Sequence, residues 1–286
     1  MKLPICVICK FYDEPDMLPI WIKHYSRQVG LSNLYLIDHG TDDGSEKMAH
    51  GANIITLDRS PHDDEITVAL VSKLTRELLD RYKYVLYADA DEIIVADPAV
   101  YSSLTEYADL CQKPVVTTIG LEVQHVQEVH ETINPNFPIL RQRGYVWFNS
   151  ALCKPTFTSG PVDWSPGFHC MSSATMFDDL YLFHLRYFDR RAGLRRLLRS
   201  RTQPWAHPDS GLHQRVSNDD WLSMSDGFGA WPRSEVYAEA ASERVKSRLD
   251  AFVASRASRK GERYRVDLNL LGHELWKIPS RFRDIF

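Results

Sequence analysis

Apolar and polar positions alternate along the chain with two different periods. Pro4 to Cys9 is uncharged up to Lys10, which predicts a central strand covered on both faces. Pro15 and Asp16 then suit the start of a helix. Leu18, Trp21, Ile22, Tyr25 and Val29 recur at helical spacing, and Gly30 ends the run. Leu34 to Ile37 and Asn53 to Leu57 read as two more strands. Asp63 and Asp64 open a helix whose predicted face is Ile66, Leu70, Leu74 and Leu78. That helix feeds an uncharged strand at Tyr84 to Tyr87. Strands and helices in this order predict right-handed parallel crossovers and a doubly wound sheet. Further on, the pattern predicts a helix over 98–111, strands at 115–119, 145–148 and 181–185, and a long loop over a cleft in most of 121–147. From Phe188 it is mainly helical, with a long helix over 235–254. The expected organisation is a catalytic domain at 1–187 and a helical extension at 188–286 packed on it.

The strand at Tyr84 runs straight into Asp89-Ala90-Asp91-Glu92. Three adjacent acids repel one another, so a positive partner is expected. In extended backbone, residues two apart share a side, so Asp89 and Asp91 are expected to aim at one point and Glu92 away from it. Two carboxylates on one point suit Mg²⁺ or Mn²⁺, and open α/β sheets bind ligands beyond the carboxyl ends of their strands. The second strand ends in another polar turn, Asp38-His39-Gly40-Thr41-Asp42-Asp43-Gly44-Ser45.

Composition narrows the picture. The 286 residues are 44% hydrophobic and 25% charged, with a net charge of -4, which gives no general attraction to nucleic acid. No apolar run approaches the roughly 18 residues a membrane span needs, and the short apolar start lacks the length of a signal peptide. A cytoplasmic protein is expected, peripheral to the membrane at most. Five cysteines, an odd number, argue against a disulfide framework. Cys6 and Cys9 lie within the first strand and read as buried thiols rather than a zinc site.

The 37–45 segment resembles the V-D-D-G-S-T-D-G-T stretch of family 2 glycosyltransferases and their relatives. Lys10-Phe11-Tyr12-Asp13-Glu14, followed by Leu18-Pro19-Ile20-Trp21-Ile22-Lys23-His24-Tyr25, resembles the opening K-N-E and L-x-E-W-x-x-H-H of one GT-A subgroup. Asp89-Ala90-Asp91-Glu92 resembles that subgroup's D-x-D-E. The resemblance covers residues 4 to 95. It implies a GT-A (nucleotide-diphospho-sugar transferase) fold, α/β with a mostly parallel Rossmann-like sheet and helices on both faces. It also implies a metal-dependent transfer of sugar from a nucleotide-diphosphate donor to a glycan or lipid-linked acceptor. Asp38 would then contact the nucleoside, Asp89 the ribose or metal, and Asp91 the metal. Lys10 and Glu14 fall among the donor-binding residues. His184, at the end of a late strand, would complete the metal site, and mixed Asp/His ligation favours Mn²⁺ over Mg²⁺. Lys154 matches a lysine of the related proteins and would offset diphosphate charge.

An inverting transferase needs a carboxylate base for the acceptor hydroxyl. Asp163, which precedes the turn at His169, is the first choice, and Glu122, after Gly120, the second. His169 is placed in the acceptor pocket or against phosphate. Arg186 to Arg201 carries seven arginines against Asp189, a charge of +6, interleaved with Leu194, Leu197 and Leu198. A solvated helix face and contact with an anionic membrane or acceptor both fit that run. The aromatic tail at Trp276, Phe282, Ile285 and Phe286, with Arg281 and Arg283, is placed with it. Two other classes stay open: a haloacid-dehalogenase-like phosphohydrolase, and a non-catalytic module that binds sugar nucleotides.

Overall fold

The computed structural model describes residues 2–172, 176–257 and 264–286. The N-terminal third runs β1 (Leu3–Phe11), α1 (Leu18–Val29), β2 (Leu34–Asp38), β3 (Asn53–Thr56), α2 (Asp64–Leu78), β4 (Tyr82–Tyr87) and β5 (Glu92–Ala96). The middle follows with α3 (Leu104–Leu110), β6 (Val115–Val123), α4 (Ile139–Gln142), β7 (Tyr145–Phe148), β8 (Phe157–Thr158) and β9 (Phe177–His184). Then come α5 (Arg190–Thr202), α6 (Asn218–Gly229), β10 (Arg233–Tyr237), α7 (Glu243–Ala254) and β11 (Leu275–Lys277).

One sheet holds these strands, in the order β10-β11-β7-β6-β8-β4-β1-β2-β3, with β9 joining β6 to β5 off that path. The α/β class is as expected, and β3-β2-β1-β4 are parallel. Beyond β4 the sheet is mixed. β8 runs antiparallel to β4 and β6, and β7 antiparallel to β6 and β11. The mostly parallel sheet therefore holds only for the first 87 residues, where helices α1 and α2 make the crossovers.

Strand alternation explains the coverage of both faces. Ile5, Val7 and Cys9 of β1 pack in one cluster with Trp21 and Tyr25 of α1 and Tyr107 of α3. Cys6 and Ile8 pack on the other face with Val68 and Val71 of α2 and with Trp164 and Phe168. Cys6 and Cys9 are thus buried on opposite faces, and both are free thiols. Asp63 caps α2, its side chain accepting from the backbone of Glu65 and Ile66. The buried face of α2 is Thr67, Val68, Val71, Ser72, Thr75 and Leu78, and Ile66 is 67% exposed. The expected face was rotated because small polar residues, Thr67, Ser72 and Thr75, supply half of the true one.

Several expectations fail beyond residue 90. The acidic stretch is a short turn, and Glu92 at its end begins the wholly buried β5, which was not expected. The helix expected over 98–111 is confined to α3. Strand β6 extends four residues past Ile119, which shortens the expected loop. The long helix expected over 235–254 begins only at Glu243, and its first part is strand β10. Strands β10 and β11 carry the sheet across the expected boundary at 187/188. Trp276, Phe282 and Phe286 are core residues rather than a surface anchor. No helix among the described residues is long and apolar enough to cross a membrane.

Candidate active site

Strand β4 ends at Tyr87, and the chain turns tightly through Asp89 to Glu92. The Glu92 amide donates to the Asp89 carbonyl at 2.9 Å, and the Asp89 amide donates to Glu92 Oε2 at 3.2 Å. A closed turn does not keep the two-residue alternation of a strand. The expected pairing is accordingly exchanged. Lys154 Nζ donates to Asp89 Oδ2 at 2.8 Å and lies 2.7 Å from Glu92 Oε1, so Asp89 and Glu92 share one cation. Tyr87 donates to Asp89 Oδ1 at 2.6 Å. Asp91 turns the other way. Its Oδ2 lies 2.9 Å from His184 Nε2 and also accepts from Arg196.

Each partner arrives from a distant element. Lys154 follows the turn after β7, and Thr118 of β6 fixes its backbone, its amide donating to the Lys154 carbonyl at 3.1 Å. Gly120 allows that turn to close on β6, because a Cβ there would sit 2.6 Å from the Asn149 carbonyl oxygen. His184 ends β9, which lies between β5 and β6. It faces Glu92 across the first pairing and Glu122 across the second. The Glu122 carboxylate accepts from His184 Nδ1 at 2.9 Å. Arg196 lies on α5, which Asp189 caps through the amides of Arg191 and Ala192. Glu14, after β1, accepts from Arg196 Nε at 2.8 Å and from Arg199 at 3.0 Å.

Burial opposes charge throughout this cluster, and the pairing decides the outcome. For Asp91, burial is outweighed by Arg196 and His184, which hold its carboxyl well below the usual range. For His184, burial is outweighed by Glu122 and Asp91, which push the imidazole up to about 10. It is therefore an imidazolium donating from both nitrogens. Lys154 is likewise raised, because Asp89 and Glu92 outweigh its burial. Burial pushes Glu14 up despite its two arginines.

A second group surrounds the tip of β2. Asp38 is buried and accepts from the Thr41 amide at 2.9 Å. Lys10 donates to Thr67 Oγ1 at 2.8 Å, and burial and then Arg59 lower it to about 8. Arg59 stacks on Tyr12, 3.5 Å from the ring centre, and lies 2.9 Å from His39 Nδ1. Gly40 has φ +72°, and a Cβ there would meet Arg59 at 2.9 Å. Burial and then Lys10 lower His39 to about 4, so it is neutral.

Of the residues expected at the site, Glu14, Asp89, Asp91, Lys154, Glu122 and His184 are linked by the contacts above, and Lys10 and Asp38 sit at the neighbouring strand tips. Glu122 is 1% exposed and held against His184, so the reading of it as a base is replaced by one in which it orients the ring. His169 is lowered to about 4 by burial and then by Lys154. Asp163 is exposed, on the segment leading into His169. Arg196, Arg199, Arg59 and Tyr12 were missed. The two α5 arginines were present in the basic run, but only its contact with Glu14 and Asp91 gives them meaning. That run is largely paired within the chain: Arg190 with Asp226, Arg195 with Asp16, Arg201 with Asn218 and Arg186 with the His213 carbonyl.

The donor set accommodates a divalent ion in part. Asp91 and His184 converge, but the 2.9 Å between Oδ2 and Nε2 is the hydrogen bond of the imidazolium, and Arg196 donates to the same oxygen, so an ion there must replace the Nε2 proton and displace Arg196. Oxygen and imidazole donors together suit Mn²⁺. The third expected ligand, Asp89, is committed to Tyr87 and Lys154. No group of three His, Cys, Asp or Glu among the described residues is gathered as a metal centre.

No protein family's sequence model matches the chain, and no curated protein matches it. Among solved structures it is similar to glucosyl-3-phosphoglycerate synthase from Mycobacterium tuberculosis in complex with Mn²⁺, UDP and glucosyl-3-phosphoglycerate. That match has 18% identity and a TM-score of 0.24, and covers 31% of this chain and 34% of that one. It is similar to TarS of S. aureus at 10% identity and a TM-score of 0.34, over 79% of this chain and 43% of that one. It is also similar to the mannosyltransferase PcManGT from Pyrobaculum calidifontis in complex with GDP-Man and Mn²⁺. There identity is 13% and the TM-score 0.36, over 89% of this chain and 80% of that one. Superpositions this loose settle neither fold nor activity.

Proposed function

We propose that the chain is a metal-dependent glycosyltransferase with a GT-A-type site, moving a sugar from a nucleotide-diphosphate donor to a glycan or lipid-linked acceptor. One observation carries this reading. Acids that follow two parallel strands, Glu14 after β1 and Asp89 and Asp91 after β4, meet Lys154, Arg196, Arg199 and His184, four basic side chains from three separate segments, beside Lys10 and Asp38. The five carboxylates Glu14, Asp89, Asp91, Glu92 and Glu122 outnumber these four bases by one, which suits a phosphorylated ligand that arrives with a divalent ion at the carboxyl end of the sheet.

Breaking a sugar–diphosphate bond leaves negative charge on the departing phosphate. Lys154 and Arg196 stand ready to receive it, already oriented by carboxylates and so needing little rearrangement. Asp91 and His184 would hold a divalent ion once His184 gives up its Nε2 proton, and the chemistry of that ion is to offset the same charge. Glu122 keeps the His184 ring facing Asp91. Asp38 would take the nucleoside and Lys10 a phosphate. With Glu122 occupied, Asp163 is our choice for the base that takes the acceptor proton, and His169, neutral beside Lys154, would line the acceptor side.

The test is a screen of sugar nucleotides for metal-stimulated hydrolysis, read beside phosphate release from simple monoesters. Turnover of a sugar nucleotide that needs Mn²⁺ or Mg²⁺ is expected. Monoester cleavage without sugar-nucleotide turnover would replace the transferase with a phosphohydrolase. Stabilisation by nucleotides with no turnover at all would leave a binding module.

A further inference from the structure

A cavity of ≈ 450 Å³ lies between α1, α5 and the segment before α4. This is within the range of about 300–1,000 Å³ typical of small-molecule sites. Its walls are apolar: Ile20 of α1, Ile133 and Phe137 of the segment before α4, Phe188, and Phe286. Phe137 is 51% exposed at the mouth, a large apolar ring left facing water. Lys23, Arg191 and Arg195 stand among the lining residues. The two acids there are already engaged. Asp16 accepts from Arg195 at 2.7 Å, and Asp189 caps α5 and pairs with Arg143. Lys23 and Arg191 are exposed, and neither side chain has a partner among the described residues. The cavity thus pairs an apolar interior with two unbalanced positive charges.

We infer that this cavity binds a single-chain amphipathic anion, an alkyl or prenyl chain ending in a phosphate. The chain fills the apolar walls, and the head meets Arg191 and Lys23. Apolar burial supplies the affinity and the cations fix the direction of entry. The cavity also adjoins the acid cluster through one helix. Arg195 lines it, and Arg196, the next residue, holds Asp91 and Glu14. The inference stands whether or not the chain transfers sugar.

Calorimetric titration with dodecyl phosphate below its micelle concentration tests it, with inorganic phosphate and dodecanol as controls. Saturable one-to-one binding is expected, with both controls at least about tenfold weaker. Arg191→Glu and Phe137→Ala, both at exposed positions, should each weaken binding by about tenfold. Inorganic phosphate binding as tightly as the amphiphile would overturn the proposal. So would wild-type affinity in both variants, which would place the ligand elsewhere. Retention on anionic vesicles with no binding of soluble dodecyl phosphate would make this a membrane-facing surface and would overturn it equally.

Discussion

Two strand tips carry acids in this molecule, and they are satisfied in opposite ways. At the tip of β2, Asp38 is bound by the amide of Thr41 and Asp43 by that of Ser45, both within three residues. At the tip of β4, Asp89, Asp91 and Glu92 have their charges balanced by side chains 62 to 105 positions away in the chain, beside the local bond from Tyr87 to Asp89. The first tip is a turn that folds on itself. The second is a buried block of charge that exists only when the whole sheet has assembled. A local turn can lose one bond cheaply, whereas a buried ion pair that loses one partner leaves the other charge stranded.

That contrast is sharpest at Lys154, which is 5% exposed. Lys154→Met should destabilise the fold by about 3–5 kcal/mol, since it strands two carboxylates together. Adding Glu92→Gln should recover part of the loss. Thermal unfolding checks both, and an unchanged melting temperature for the single variant would break the comparison. The next effect is chemical. Asp91→Asn should lower metal-stimulated turnover of a sugar nucleotide by about 100-fold and abolish the metal-dependent part of nucleotide stabilisation. A variant that keeps both would remove Asp91 from the reaction.

Lys10 lies between the two tips and gives a pH signature. Its burial and Arg59 lower it to about 8. Nucleoside diphosphate affinity should fall as pH rises from about 7 to 9, because the protonated amine attracts the phosphates. Stability should move the other way. The unfolded chain keeps this proton up to its ordinary value of 10.5, so between 8 and 10.5 the unfolded state binds more protons and folding strengthens with pH. Lys10→Met should flatten both slopes, as binding and melting series would reveal. The smallest effect belongs to the β2 tip. Asp38→Asn keeps an acceptor for the Thr41 amide and should cost about 1 kcal/mol or less in stability. It should still weaken nucleoside binding without changing Mn²⁺ affinity. A loss as large as that of Lys154→Met would erase the distinction between the tips.

The same contrast governs what could be read from the sequence. Strands β1 to β4 and helix α1 were legible because each is a short periodic run with clear stops, such as Gly30. Asp89 and Asp91 were legible because they sit two apart after an uncharged strand, and Asp38 because it ends another. The pairing among them was not. Whether Asp89 looks toward Asp91 or toward Glu92 depends on a turn that the residue types do not specify, and on where Lys154 arrives. Arg196 was visible as one arginine among seven, with nothing local to separate it from Arg195, which pairs with Asp16 instead. Strands β10 and β11 were hidden for another reason. Both are short, and the Arg233–Tyr237 segment alternates burial at the sheet edge without an apolar run.

Strand β9 has one more consequence. It enters between β5 and β6, and its last residue is clasped at both ring nitrogens by acids belonging to its two neighbours' side of the sheet. The hydrogen-bond ladder therefore acts as a ruler, and a shift of register carries the ring away from Asp91 and Glu122 together. Until β9 has zipped into place, the acids form a repulsive nest without its keystone, so completion of the sheet and creation of the centre are a single event.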